Sequence, residues 1–139
     1  MYKPKNFKYK KMHKSRIKNF QQLPINKIFD IKIGTFALKS LELGEIQPKQ
    51  IEAVRKILSK EIKKYGKIWI RIFSTLIRTS KPAEVRMGKG KGSLNYWTSV
   101  IKSGQILFEI SNIEYSTAKA LFKKAANKLP VLTQFIKSK

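Results

Sequence analysis

The chain contains no cysteine and only one histidine, His13, among its 139 residues. The absence of cysteine excludes disulfides and thiolate metal sites, and a single histidine excludes zinc sites built on several imidazoles. A serine–histidine–aspartate triad would have to use His13, which lies in a highly basic segment and is a poor candidate for a general base. We therefore expect no metal site and no cofactor.

Acidic residues are also scarce: 8 Asp and Glu stand against 31 Lys and Arg, a formal net charge of +23. Like charges at this density oppose compaction, so a folded protein this basic is expected to be bound to a polyanion in the cell. Nucleic acid is the first candidate and a membrane surface the second. An RNA-processing enzyme would need paired carboxylates for a metal or a usable general base. The few scattered acids offer neither, so we expect no enzyme.

No apolar run approaches the length of a membrane span. The N-terminus leads directly into Lys-rich sequence without an apolar stretch, so we expect no secretory signal. A membrane-surface binder should carry a strongly amphipathic basic helix with bulky apolar anchors. Here the densest charge lies in an aperiodic N-terminal segment and in a glycine-rich segment, which favours nucleic acid and predicts no membrane partner.

The N-terminal 20 residues contain eight Lys or Arg, Lys8 among them, and the first acid of the chain is Asp30. Aromatic residues are interleaved with these cations: Tyr2, Phe7, Tyr9 and Phe20. Such a segment cannot bury enough apolar surface to order itself. On RNA, its cations would lie on phosphates and its rings could stack on unpaired bases. We interpret residues 1–27 as a basic N-terminal extension; a solubilising arm without specific contacts is the alternative.

Residues 28–139 are predicted to form one α+β domain, with two amphipathic helices packed on a mixed or antiparallel sheet. Strand-like alternation runs from about Ile31 to Leu41. An apolar stripe at steps of three and four predicts a helix over 50–65, ended by Gly66. A second stripe over 118–129 predicts another helix, ended by Pro130.

Further strands are predicted over 67–73 and 131–136, and paired strands over 96–101 and 105–110. Residues 102–104 would form the hairpin turn of that pair, with Gly104 at positive φ. Arg71 lies opposite the Ile face of strand 67–73, so it is expected to reach a sheet edge or RNA. Arg78 and Lys81 are further candidate RNA contacts.

The stretch 74–95 shows no periodicity, and unstructured loops of that length in compact domains are usually functional or disordered. Within it, the segment 81–93 reads KPAEVRMGKGKGS. Its glycines alternate with lysines over Gly88, Lys89, Gly90, Lys91 and Gly92. Glycines let the backbone approach a polyanion, successive N–H groups can form an anion-binding nest, and Arg86 offers a planar fork to phosphate.

The glycine spacing in this segment fits neither the P-loop nor the dinucleotide-binding fingerprint. The pattern alone therefore indicates phosphate binding and nothing more specific. A flexible loop with dispensable charges is the alternative.

The stretch KPAEVRMGKGKGSLNYW, followed by GQILFEI, closely resembles the signature of the bacterial-type large-subunit ribosomal protein sixteen family. Residues 66–73 resemble the GKIWIRVF strand of that family. Gln50-Ile51-Glu52-Ala53 with Arg55 is similar to its QIEAxR helix opening, and Pro4-Lys5 with 10–16 to its PKxxKxRKMHKGR tail. Residues 125–135 are similar to its AAxKLPxxTxF ending. The resemblance runs almost end to end in the same order.

The resemblance implies a non-enzymatic α+β protein bound to large-subunit rRNA at the base of the central protuberance, beside the A-site tRNA and near the peptidyl-transferase region. Neighbouring ribosomal proteins are implied partners, and a homo-oligomer is not expected. The implied loop that faces rRNA and tRNA consists of Arg86, Met87, Gly88, Lys89, Gly90, Lys91 and Gly92. The tail residues implied to follow rRNA are Lys5, Lys10, Lys11, His13, Lys14 and Arg16.

The excess of Lys over Arg and the frequent Ile and Asn are favoured by AT-rich coding, as in organelles. This composition and the residues of the loop motif lead us to expect a protein of the mitochondrial matrix that is associated with the ribosome. A plastid and a bacterial cytoplasm are the alternatives.

Overall fold

A computed structural model describes residues 4–9, 11–13, 30–62 and 66–138. The elements in chain order are β1 Phe36–Ser40, β2 Gly44–Ile46, α1 Pro48–Ile62, β3 Lys67–Ile70, β4 Leu76–Ser80, β5 Ser93–Ile101, β6 Ile106–Ser111, α2 Tyr115–Ala126 and β7 Thr133–Lys137. They form a four-stranded sheet in the order β3-β6-β1-β7 and a three-stranded sheet in the order β2-β5-β4. Each described strand pair is antiparallel. The predicted α+β class is confirmed.

Helix α1 begins at Pro48, whose fixed φ and missing N–H suit the first helical position. The side chain of Gln50 accepts a hydrogen bond from the backbone N–H of Gln47 at 2.8 Å. This contact satisfies one donor that the helix start would otherwise leave free. The stripe that the sequence predicted is the buried face: Ile51, Val54, Leu58 and Ile62.

Helix α2 buries Ala118, Leu121, Phe122 and Ala125, as the spacing of the sequence predicts. Both helices contribute to one hydrophobic core with the four-stranded sheet. Burial of each large aliphatic side chain contributes about 1.5–3 kcal/mol. Leu129 lies just beyond the helix and packs against the same core. Neither of these helices is long and apolar enough to cross a bilayer.

Strand β6 is the centre of the four-stranded sheet, between β3 and β1, and each of its six residues is buried. Its sequence, ILFEIS, is mostly apolar, as expected of a strand that is buried on both faces. The exception in chemistry is Glu109, which is fully buried. A carboxylate at such a place must find hydrogen-bond partners within the protein.

The predicted pairing of residues 96–101 with 105–110 is wrong. Strand β5 pairs with β2 and β4, whereas β6 pairs with β3 and β1, so the two strands belong to different sheets. Gly104 does adopt a positive φ of 86°, but its N–H donates to the carbonyl of Ser40 at 2.7 Å. The turn is anchored to the end of β1. Because β5 and β6 each have a partner strand on both sides, neither has a free edge with which to pair with the other.

The strand predicted over 67–73 is shorter than expected, because β3 ends at Ile70. The backbone N–H of Arg71 still donates to Leu107 at 2.9 Å, and the chain then leaves this sheet to begin β4 in the other one. Past the strand end, Ile72 is buried and Phe73 is exposed. Ile68 and Ile70 are partly buried against the core to which Ile72 belongs, so the predicted Ile face is the one that meets the core.

Two other sequence expectations need correction. The stretch 74–95 is not free of regular structure, because β4 occupies 76–80 and β5 begins at 93. The sequence did not predict β4 because only Ile77 of its five residues is buried. No alternation of apolar and polar residues therefore marks the strand. At the N-terminal end, β1 begins at Phe36 rather than near 31. Residues 32–34 instead donate backbone hydrogen bonds to Glu109.

Candidate nucleic-acid interface

The segment 81–92 is the connection of the β4–β5 hairpin, and its residues 81–91 are all exposed. Gly88, Lys89 and Gly90 adopt positive φ values of 96°, 52° and 83°. Three successive left-handed residues turn the chain sharply, which glycine does at little steric cost. The ammonium group of Lys81 donates to the carbonyl of Gly88 and closes the loop on itself. The side chain of Met87, at the tip, is 100% exposed.

Gly92 has a different role from the glycines at the tip. A Cβ at this position would overlap the backbone carbonyl of Ser80 on the facing strand, whereas a Cβ at Gly88 or Gly90 would meet nothing within 4 Å. Gly92 therefore allows the two strands to approach closely at the base of the loop. The sequence suggested closeness to phosphate as the reason for this glycine; the structure adds a steric reason within the hairpin.

We expect Gly92→Ala to lower the free energy of unfolding by about 1–3 kcal/mol, because the added methyl group forces two backbones apart. The control is Gly90→Asn, which adds a larger side chain in open space and uses a residue that tolerates positive φ. Thermal unfolding followed by circular dichroism measures both. Equal losses of stability in the two variants would contradict the steric role of Gly92.

The N-terminal extension contacts this hairpin. The ring of Phe7 lies edge-on to the ring of Trp97 on β5, with centroids 5.1 Å apart. The Lys11 ammonium group donates to the carbonyl of Lys91 at 3.2 Å. In return, the Lys91 ammonium group donates to the carbonyl of Met12. The extension and the glycine-rich loop, which the sequence predicted to bind RNA separately, therefore lie side by side.

We call the described residues 4–9, 11–13 and 81–92 the basic surface. Its cationic or imidazole side chains are exposed: Lys5, Lys8, Lys11, His13, Lys81, Arg86, Lys89 and Lys91. Where their ammonium groups form described hydrogen bonds, the acceptors are backbone carbonyls. The described ion pairs use Arg55, Arg71, Arg78 and Lys124, none of which belongs to the basic surface. Its positive charge is thus available to a polyanion. The candidate residues Lys10, Lys14 and Arg16 lie outside the described residues.

Arg71 lies away from the basic surface, where its guanidinium group pairs with the carboxylate of Glu109. That carboxylate also accepts backbone hydrogen bonds from Gly34 and Ile33 at 2.9 Å and from Lys32 at 3.3 Å. Burial alone raises the pKa of Glu109, but the backbone N–H groups and the Arg71 charge together lower that pKa below its ordinary value. Glu109 thereby fastens the segment before β1 to the centre of the sheet.

Arg78 is engaged in the same manner on the other sheet. Its guanidinium group binds the carboxylate of Glu45 through two nitrogens, one of them Nε at 2.9 Å. The pair joins β4 to β2 across the intervening β5. Arg71 and Arg78, the described candidate RNA-binding arginines outside the loop, therefore have internal partners. Their contact with RNA stays a prediction, and their visible role is to hold strands in place.

Sequence reasoning missed Glu109 and Trp97 as organising residues. An acid within the otherwise apolar run ILFEI was the available signal for Glu109, because a buried carboxylate requires partners. Nothing in the sequence marked Trp97 as the partner of Phe7, which is 90 positions away. Within the part of the chain that the structure describes, no group of three or more His, Cys, Asp or Glu is placed to hold a metal ion.

The family model described as "Ribosomal protein L16p/L10e" matches residues 4–136, which include the basic surface and both sheets. The chain belongs to this ribosomal protein family. It shares 46% identity over 136 residues with "Large ribosomal subunit protein uL16" of Buchnera aphidicola subsp. Cinara cedri, covering 98% of this chain and 96% of the relative. It shares 49% over 137 residues with "Large ribosomal subunit protein uL16c" of Euglena longa, covering 98% of each chain.

A third relative, uL16 of Wigglesworthia glossinidia brevipalpis, is 43% identical over 136 residues. The predicted family is confirmed. Members of the family are ribosomal structural proteins, so this family member is a structural protein and not an enzyme.

Proposed function

We propose that the protein is a structural constituent of the large ribosomal subunit and that its basic surface binds large-subunit rRNA near the base of the central protuberance. Family membership and the names of the relatives, each a large ribosomal subunit protein, support the first part. The charge supports the second, since +23 is far more than solubility requires. Binding there would support assembly of the subunit beside neighbouring ribosomal proteins.

The observation that carries the rRNA proposal is the reciprocal contact between Lys11 and Lys91. It joins two cationic segments, distant in sequence, into one exposed surface whose described ammonium hydrogen bonds go to backbone carbonyls. A carbonyl is a neutral acceptor, so these lysines keep their charge for phosphates. A strand of RNA that crosses the surface would meet cations from both segments.

The loop tip is proposed to shape the region that binds the A-site tRNA, next to the peptidyl-transferase centre. Gly88, Lys89 and Gly90 turn the backbone at positive φ, so that its N–H groups can approach the phosphates of an RNA strand. Arg86 can hold a phosphate through two nitrogens, and the fully exposed Met87 offers an adaptable apolar contact. The mechanism is positioning by fixed charges, without bond chemistry.

The competing function is a cationic binder of nucleic acid or membrane surfaces outside the ribosome. The described charge is densest in the extension and the loop, and not along one face of a helix with bulky anchors, which disfavours the membrane form. For the compartment, the mitochondrial matrix is our proposal, with a plastid or a bacterial cytoplasm as the alternatives. The relatives from bacteria and from Euglena longa are compatible with each of these.

Sedimentation of a lysate through a density gradient at low and high salt tests the function. We expect the protein to travel with the large subunit at low salt and to leave it only at high salt, because screening weakens contacts between lysine and phosphate. Subunits lacking the protein provide the matched control for antibody detection. Recovery at the top of the gradient at low salt, or with membranes or DNA, would contradict the ribosomal function.

A further inference from the structure

A cleft of about 520 Å³ lies at the base of the glycine-rich loop. Strands β4 and β5 form its walls, while Met12 of the extension and Lys91 of the loop form its rim. This volume lies within the range of small-ligand pockets, about 300–1,000 Å³. A concave site therefore adjoins the proposed rRNA-binding surface and shares Met12 and Lys91 with it.

An irregularity in strand pairing shapes the cleft. Arg78 is opposite Tyr96, but the next residue of β4, Thr79, is opposite Leu94. Asn95 is thus the extra residue of a β-bulge. Asn95 and its neighbour Tyr96 both line the cleft. Bulges interrupt the regular alternation of side chains along a strand and are frequent beside functional sites.

The lining combines surfaces that can stack with groups that can form hydrogen bonds. Tyr96, which is 37% exposed, provides an aromatic ring, and Met12, which is 36% exposed, provides a thioether. The Asn95 amide both donates and accepts, and Ser80 contributes a hydroxyl group. The guanidinium group of Arg78 lies in the lining with its Glu45 partner, which fixes its orientation. An aromatic face beside an amide is the chemistry that binds a nucleobase.

We propose that this cleft receives one unstacked base of the RNA strand that crosses the basic surface. The base stacks on Tyr96, the Asn95 amide bonds its edge, and the adjoining phosphate lies on Lys91. Lys91 suits the last role because it lies at the rim and also belongs to the basic surface. The inference rests on the proposed rRNA binding and adds to it a preference for RNA with an extrahelical nucleotide.

The test uses the full chain and two RNA hairpins, of which one carries a single bulged purine and the other lacks it. The bulged purine is fluorescent 2-aminopurine. We expect tighter binding of the bulged hairpin and a change of its fluorescence on binding. Tyr96→Leu and Asn95→Ala should each reduce the preference for the bulged hairpin, Tyr96→Leu by about ten-fold, within the range that stacking on an aromatic ring contributes. Tyr96→Phe retains the ring and should retain the preference.

Lys89→Ala is the matched control, because this lysine belongs to the basic surface but not to the lining of the cleft. It should weaken the binding of both hairpins equally. Equal binding of the two hairpins by the wild type, or a preference that survives Tyr96→Leu and Asn95→Ala, would overturn the cleft proposal and leave rRNA binding standing. Failure to bind either hairpin at low salt would overturn the proposed function itself. Circular dichroism establishes that each variant is folded.

Discussion

Replacing Glu109 with alanine is expected to lower the free energy of unfolding by about 3–5 kcal/mol, the cost of breaking a buried ion pair. The substitution leaves the guanidinium group of Arg71, itself only 19% exposed, without its carboxylate. It also deprives the backbone N–H groups of residues 32–34 of their acceptor. An unsatisfied buried donor costs free energy in addition to the lost pair. Urea denaturation measures the change.

Glu61→Ala is the matched control, because it also removes a carboxylate that pairs with a cation, Lys124 at 3.1 Å. That pair is exposed, with 43% of the Glu61 side chain and 60% of the Lys124 side chain accessible to solvent. Exposed pairs contribute only about 0.2–1 kcal/mol. A loss at Glu109 as small as that at Glu61 would show that the Glu109 network does not stabilise the fold.

The lowered pKa of Glu109 also predicts the sign of a pH effect. The ionised carboxylate is favoured in the folded state, so its stabilisation is complete above the ordinary pKa of 4.5 and is lost as the pH falls through the lower, folded-state value. Wild-type stability should therefore decline below pH 4.5 more steeply than that of Glu109→Gln. Thermal unfolding across this range tests it, and parallel curves for the two proteins would contradict the prediction.

Affinity for rRNA is expected to fall by about ten thousand-fold between about 50 and 200 mM salt, if roughly eight cations of the basic surface each displace one counterion. The corresponding log–log slope is about −6 to −7. Filter binding at a series of salt concentrations measures it. A slope near zero would show that phosphate contacts do not dominate binding.

The double variant Arg86→Ala, Lys89→Ala should reduce that slope by about two, one for each lost phosphate contact. It should also impair subunit maturation or tRNA binding. Both side chains are exposed, so the melting temperature should stay nearly unchanged. Lys119→Ala with Lys123→Ala is the control, because it removes the same charge from the exposed surface of α2. Equal reductions in slope would mean that net charge, and not its position in the loop, determines binding.

The sequence alone determined some features of this protein more fully than others. The helices were predictable because burial of one face imposes a period of about 3.6 residues, visible at Ile51, Val54 and Leu58. The loop was predicted to bind phosphate because its glycines alternate with lysines, and this role stays a prediction. The +23 charge already indicated a polyanionic partner. These properties depend on residues close together in the chain, or on the sum over all of them.

The tertiary structure alone decided which distant segments meet. Alternation marked β5 and β6 as strands, but the period of two is the same for any partner, so their separation into two sheets could not be inferred. The partners of Arg71 and Arg78 are carboxylates 38 and 33 positions away. The joining of the extension to the loop spans 80 positions between Lys11 and Lys91. Local sequence fixes local geometry, whereas these contacts depend on packing of the whole chain, which no short pattern encodes.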